Sequence, residues 1–317
     1  MSLDLAAIRA AAVRIAPHVQ RTPVLTNDAL DAACGAALFF KCENLQAMGA
    51  FKARGAANAV FALGDDAAAP GVVTHSSGNH GAAVARAAQR RGIPGFVVMP
   101  HNAPQTKIRN VERYGGRIVF CEPNLTAREA ACARIAAETG AALVHPFDDY
   151  AVMAGQGTAT LELLEQAGPL DLVLCPVGGG GLLCGTAVAA KGAQPGLRVV
   201  GVEPAAADDV AQSFRAKKPV HIAHADTIAD GLRTNVTGQR NLPLILQHVD
   251  DVVTVPEDAI VAAMRALWEN LKLVVEPSAA VAFAAIQSGA LGVRGRRVGI
   301  ILTGGNVDLD HLPWLKP

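Results

Sequence analysis

Lys52 stands alone in Gly49-Ala50-Phe51-Lys52-Ala53-Arg54-Gly55, flanked by small and apolar residues at the end of an uncharged run. Burying a lysine is costly, and burial pushes its amine toward the neutral, nucleophilic form. Such an amine commonly attacks a carbonyl carbon to make a Schiff base. The other reading is a surface lysine whose stem lies along a helix while its head stays in water. The segment by itself leaves both open.

Three turns elsewhere supply the polar groups that such chemistry would need. Val177-Gly178-Gly179-Gly180-Gly181-Leu182 follows the apolar run Asp171–Pro176 and precedes a helical pattern. Its glycines let backbone N–H groups approach an anion closely at the positive end of a helix. No G-K-[ST] follows, and Glu203 is the sole acidic residue near ribose-binding register, so a compact phosphate cradle remains, against a merely flexible turn. Thr74-His75-Ser76-Ser77-Gly78-Asn79-His80-Gly81 crowds hydroxyls, an amide and imidazoles at a helix start. That turn can receive a carboxylate, or can be a capped helix start with Ser77 or Asn79 as N-cap. Ile301 to Asp308 closes the last strand and reads equally as a tight turn. Glu203, Asp208 and Asp209 lie within seven residues and suit either a hard cation or a solvated acidic loop.

The elements that must position these turns alternate regularly. Strands are expected at Ala37–Lys41, Gly71–His75, Gly95–Met99, Arg117–Phe120, Ala142–His145, Asp171–Pro176, Arg198–Val202, Asp251–Val255 and Arg296–Leu302. Helices are expected at Gly81–Arg91, Pro104–Tyr114, Thr126–Thr139, Gly157–Gln166 and Pro256–Leu271. Strand then helix, repeated, is the pattern of an α/β protein with parallel sheets covered on both faces. Residues 69–147 hold four of the strands and are expected to form a small domain. Residues 1–68 and 148–317 then build a larger one jointly, with a site between the two.

Bulk properties exclude several classes. The chain has 28 Lys and Arg against 28 Asp and Glu, with no basic stripe, which argues against nucleic acid or an anionic membrane surface as partner. The longest uncharged stretch, Leu172 to Ala190, is broken by Pro176 and the four consecutive glycines 178–181 and is not a membrane span. Six cysteines without a C-x-x-C pair suit a reducing cytoplasm, and no targeting segment is visible.

Taken in order, these motifs resemble the fold-type II pyridoxal-phosphate enzymes, the tryptophan synthase beta-like fold. The likeness is to the group of serine/threonine dehydratases, serine racemases and 3-hydroxyaspartate dehydratases, and it runs from Arg21-Thr22-Pro23 to Asp308. It implies that Lys52 carries the cofactor as a Schiff base, with Phe51 beside it. Asn79 then lies next to the cofactor's 3-hydroxyl, Gly178, Gly179, Gly180 and Gly181 hold its phosphate, and Thr303 bonds its pyridine nitrogen. Ala50 departs from the commoner serine of the family. Ser76, Ser77, Asn79 and His80 fall where the substrate carboxylate binds, and Ser77 faces the cofactor opposite the lysine, as in the racemases. Glu203, the Ala207 carbonyl and Asp209 match a divalent-cation site for Mg²⁺ (or Ca²⁺ or Mn²⁺).

The resemblance implies β-elimination of a β-hydroxy amino acid to a 2-oxo acid and ammonia. Lys52 would take the α-proton, and Thr303, a neutral hydroxyl, would leave the ring nitrogen unprotonated and disfavour transamination. A racemase on the same scaffold is the alternative, and a non-catalytic cofactor- or amino-acid-binding protein is a third reading of another class. Met48 and Ala50 resemble the 3-hydroxyaspartate branch, whose second carboxylate needs a cation. Arg134 aligns with an arginine near the substrate side chain, or is a solvated helix residue. A homodimer without a regulatory domain is implied.

Overall fold

The computed structural model describes residues 2–76, 78–103 and 105–315. Among the described residues the strands are β1 (Val24–Leu25), β2 (Ala37–Cys42), β3 (Val72–His75), β4 (Gly95–Pro100), β5 (Arg117–Cys121), β6 (Ala142–Leu143), β7 (Leu172–Pro176), β8 (Arg198–Pro204), β9 (Asp251–Val255) and β10 (Arg297–Leu302). The helices are α1 (Leu5–Ile15), α2 (Asp28–Cys34), α3 (Lys52–Ala62), α4 (Asp65–Ala68), α5 (Asn79–Arg91), α6 (Gln105–Glu112) and α7 (Leu125–Thr139) in the first half. They continue as α8 (Tyr150–Ala167), α9 (Gly181–Ala193), α10 (Asp209–Ala216), α11 (Asn241–His248), α12 (Glu257–Leu271) and α13 (Pro277–Gln287).

Two sheets result, ordered β1-β2-β10-β7-β8-β9 and β5-β4-β3-β6. Every pairing is parallel except that of β1 with β2. The central strands are apolar on both faces because helices cover both: all five residues of β7 are buried, as are the last five of β10. This is the α/β parallel-sheet architecture that the sequence pattern predicts, and each expected strand is present. No helix among the described residues is long and apolar enough to cross a membrane.

Three helical features depart from the expectation for the same reason, which is tight packing that removes the amphipathic signal. Helix α8 begins at Tyr150 rather than Gly157, with Asp149 accepting from the N–H groups of Ala151 and Val152. Gly155 and Gly157 read as breakers but sit inside it, where helices touch. A Cβ at 155 would lie 2.6 Å from the Arg54 carbonyl oxygen, and one at 157 would lie 2.6 Å from that of Gly185. Helix α13 is apolar on every side, with nine of its residues buried, and shows no helical periodicity.

A buried ion network ties the start of α3 to its surroundings. The Arg54 guanidinium donates to both Glu43 oxygens, at 2.7 and 2.8 Å, and to both Glu162 oxygens, at 2.7 and 2.8 Å. Lys41 Nζ donates to Glu162 at 2.6 Å and to the Thr22 carbonyl at 2.7 Å, and Thr22 Oγ1 donates to Glu43 at 2.6 Å. Two cations thus meet two carboxylates with no net charge, and the Arg54, Lys41 and Glu43 side chains are fully buried. Burial alone would raise the Glu162 carboxyl, yet Arg54 and Lys41 hold it below its ordinary value.

Removing the guanidinium leaves Glu43 buried without a cation and Glu162 with Lys41 alone, a loss of about 3–5 kcal/mol for a broken buried pair. Arg54→Met is therefore expected to lower the unfolding free energy from urea titration by that amount, through a lower midpoint at unchanged slope. A loss below about 1 kcal/mol would mean that the network is worth no more than a surface pair.

Candidate active site

The chemistry-bearing turns all follow the carboxyl ends of parallel strands, where open α/β sheets form their crevice. Lys52 opens α3 after β2, Thr303 follows β10 and Gly178 follows β7, and these three strands are neighbours in the large sheet. Ser76 to Asn79 follow β3 of the small sheet. Main-chain bonds zip the lysine segment to the β10 turn: Ala50 bridges Gly304, Phe51 N–H donates to the Thr303 carbonyl at 3.0 Å, and Gly305 N–H donates to Gly49 at 2.9 Å. Lys52 and Thr303 are brought to one place in this way.

Lys52 Nζ donates to the Pro146 carbonyl at 2.8 Å and lies 5.2 Å from the Phe51 ring centroid. No carboxylate pairs with it among the described residues, and burial lowers its amine to about 8. His75, His80 and His145 gather nearby and are all pushed toward neutrality by burial, His145 to about 4. His145 Nδ1 accepts from the N–H groups of Phe147 and Asp148, which fixes the turn carrying Pro146.

The glycine loop is built as a cradle. Gly180 has φ +99°, open to glycine without strain, and α9 starts behind it with no side chain capping its first N–H groups. A Cβ on Gly179 would collide with the Phe147 ring, so the bare backbone is sterically required there. Helices α3 and α5 also begin without a side-chain cap, unlike α1, α2, α7 and α8. In the β3 turn, Ser76 Oγ accepts from Gly78 N–H, and His80 Nε2 donates to the Val144 carbonyl at 3.2 Å, leaving His80 Nδ1 buried without a partner. Ser77 lies outside the described residues. Thr303 Oγ1 is likewise buried without a hydrogen-bond partner.

The acidic group is also buried. Glu203 accepts from the N–H groups of Val210 and Ala211, and Asp209 Oδ1 accepts from Thr234, while Asp209 Oδ2 has no partner. Burial and mutual repulsion push Glu203 far above the usual carboxylate range, and burial pushes Asp209 to about 7. Ala207, buried beside them, turns back to Pro204. The solvated-loop reading is thereby excluded for Glu203 and Asp209, while Asp208 is only partly buried.

Arg134 does not join the site. Its side chain is exposed and pairs with Glu138 one turn along α7 at 3.2 Å. The arginine of α7 that turns inward is Arg128, about two turns earlier, whose Nε is buried without an acceptor and whose charge depresses His75. Sequence reasoning also passes over Glu276, which accepts from Asn79 Nδ2 at 2.8 Å. The signal that singled out Lys52, a lone charge among apolar neighbours, is present in Leu273-Val274-Val275-Glu276-Pro277 as well.

Residues 15–304 match the family described as pyridoxal-phosphate dependent enzyme. The chain belongs to that family. A serine racemase of Oryza sativa subsp. indica is 49% identical over 314 residues, covering 98% of the enzyme and 92% of the relative. A beta-hydroxyaspartate dehydratase of Paracoccus denitrificans (strain Pd 1222) is 49% identical over 305 residues, 96% of each chain. The solved structure of maize serine racemase matches with a TM-score of 0.95 at 47% identity, covering 98% of the enzyme and 95% of that chain.

The residues present fit the cofactor: an uncapped, side-chain-free helix start suits the phosphate, an orphan hydroxyl suits the ring nitrogen, and a desolvated amine suits the aldehyde. When bound, pyridoxal phosphate supplies that aldehyde carbon and a conjugated ring that draws electron density from a substrate's α-carbon. Only the neutral amine captures it. Covalent capture of pyridoxal phosphate by the apoenzyme is therefore expected to quicken with pH to a midpoint near 8. A stopped-flow midpoint near the ordinary 10.5 would show a solvated lysine.

Proposed function

We propose that the enzyme removes water from a β-hydroxy amino acid to give an enamine, which water then hydrolyses to a 2-oxo acid and ammonia. The observation that carries this reading is Lys52, a low-pKa amine beside a phosphate cradle and a neutral hydroxyl at residue 303. Lys52 Nζ takes the α-proton and is held within reach of it, which removes much of the entropic cost of the encounter. The substrate carboxylate is received by the Ser76–His80 turn at the uncapped start of α5. Asn79 and Phe51 flank the ring, Gly178 to Gly181 take the phosphate, and Thr303 receives the ring nitrogen.

Among serine, threonine and 3-hydroxyaspartate, we favour 3-hydroxyaspartate, because Arg128 offers a buried donor without an acceptor for a second carboxylate. The Paracoccus dehydratase relative supports the same choice. Racemisation is a second reading, supported by the serine racemase relatives and by the donor that Ser77 would place on the opposite face. The small unit, residues 69–147, and the large unit, 1–68 with 148–317, act as two domains about the cleft. A homodimer is supported by exposed Leu45 and Val274 beside the Asn44–Val274 bond, and a cytoplasmic location by six free cysteines.

A panel of L- and D-serine, L-threonine and the 3-hydroxyaspartate isomers, scored for 2-oxo acid and for enantiomer exchange, tests the reading. Hydroxyaspartate is expected to give the highest kcat/KM, and Arg128→Ala to cost that substrate about 100-fold with little effect on serine, as for a lost charge-assisted bond. No 2-oxo acid from any β-hydroxy substrate would overturn the elimination.

We further propose that Glu203, Asp209 and the Ala207 carbonyl hold Mg²⁺. Both carboxyls are raised, so in the ion-free protein they stabilise the fold at low pH, and the contribution of Asp209 is lost as pH rises through about 7. An ion reverses the penalty. Mg²⁺ is expected to raise the melting temperature at pH 8 by several degrees in the wild type but not in Asp209→Asn. Equal shifts in both would rule the site out.

A further inference from the structure

Glu276 is a buried carboxyl to which the elimination chemistry assigns no part. It precedes Pro277 at the start of α13, where an acidic side chain ordinarily accepts from the amides of its own first turn. Glu276 caps none of them. Its Oε1 instead accepts from Asn79 Nδ2 at 2.8 Å, bridging from the large unit to α5, and the Asn306 N–H is directed at the same carboxyl. Asn79 Oδ1 accepts from Asn306 Nδ2 at 2.8 Å. Glu276 N–H donates to the Gly304 carbonyl at 3.0 Å, next to Thr303. Room for the carboxyl exists because residue 304 lacks a side chain: a Cβ there would lie 2.5 Å from Oε1.

This arrangement leaves the Asn79 amide one orientation. Its oxygen is taken by a donor, Asn306, and one of its two Nδ2 hydrogens is taken by an acceptor, Glu276. A flipped amide would set N–H against the Asn306 Nδ2, which the Met48 carbonyl holds in place at 2.9 Å, and would take from the ionised Glu276 carboxylate its donor. The second Nδ2 hydrogen is then the one donor left over on the Asn79 side chain.

We propose that Glu276 is a positioning residue that locks the Asn79 amide with its spare N–H turned toward the cofactor's 3-oxygen, and so sets the ionisation of that oxygen. The inference rests on the functional reading above, in which Asn79 lies beside the ring. Burial and repulsion from Asp230, on the segment after Ala229, disfavour the charged carboxyl, while Asn79, Asn306 and Lys107 of α6 favour it. Lys107 and Asp230 pair with each other, and His80, next to Asn79, is held neutral. Burial prevails and raises the carboxyl to about 8. It is thus uncharged at neutral pH, and above pH 8 it becomes a stronger acceptor that polarises Asn79.

The test is the visible spectrum of the holoenzyme between pH 6.5 and 9.5, with cofactor affinity measured beside it. Wild type is expected to show a spectral transition with a midpoint near 8. Glu276→Gln keeps an acceptor oxygen for Asn79 but cannot ionise, so it should bind the cofactor within about twofold of wild type and lose the transition. Glu276→Ala should weaken cofactor binding about tenfold, and Glu276→Ala with Asn79→Ala should be no weaker than Asn79→Ala alone, because the two act as one unit. A transition that survives in Glu276→Gln, or losses at 276 and 79 that multiply, would overturn the inference while leaving the enzyme's function intact. A wild-type protein that shows no visible band with the cofactor would sink the functional reading itself, and this inference with it. Far-ultraviolet circular dichroism of each variant separates misfolding from lost positioning, and Glu276→Gln carries the decision if Glu276→Ala does not fold.

Discussion

The fully buried guanidinium of Arg54 is the constraint on which the catalytic geometry depends. Two residues before it stands Lys52, so the position of the amine is tied to a side chain that meets four carboxylate oxygens at once. Those carboxylates belong to separate parts of the chain, Glu43 just after β2 and Glu162 on α8. The fork geometry of arginine fixes direction as well as distance, which a lysine's point charge does not. Fully compensated charges in a dry interior make a rigid platform, and α3 is seated on it.

On that platform the site holds an anionic cofactor with few charges of its own. The glycine loop carries no cation, and the neighbouring imidazoles are held neutral by burial. In the proposed reading, attraction for phosphate would fall to backbone N–H groups at the start of α9, whose direction is fixed by the fold. The same scarcity of charge depresses Lys52 and raises Glu276. One dry cleft thus shifts an amine and a carboxyl in opposite directions, both to about 8, because burial disfavours the charged form of each.

Much of this was legible in the chain. Alternating apolar runs define the parallel sheets, and Lys52 and the four glycines stand out because their types break the surrounding pattern, whereas Asn79 and Thr303 are singled out only by the resemblance to the family. The boundaries of α8 and the existence of α13 were not legible, since glycines used for helix contact look like breakers and an all-apolar helix shows no periodicity. Arg128 and Arg134 lie on one expected helix, and no local pattern tells which faces inward. Choosing between them needs the helix seated on its sheet. Glu276 was open to the argument used for Lys52, although its partner Asn79 is nearly two hundred residues away.

The glycine contact between α3 and α8 has a consequence for how the protein assembles. The chain leaves the large sheet along α3, builds the whole small sheet, and returns along α8, where Gly155 meets the Arg54 backbone. Arg54 and Glu162 are 108 residues apart, a loop whose closure costs about 4 kcal/mol by logarithmic scaling. A compact small unit already folded in that loop shortens the effective span, so its earlier folding would hasten the seating of the lysine. The first two strands join the large sheet only through β10, the last strand in chain order. Catalytic competence is therefore a late event in folding, and a chain released before Glu162 is synthesised would leave Arg54 without one of its two carboxylates.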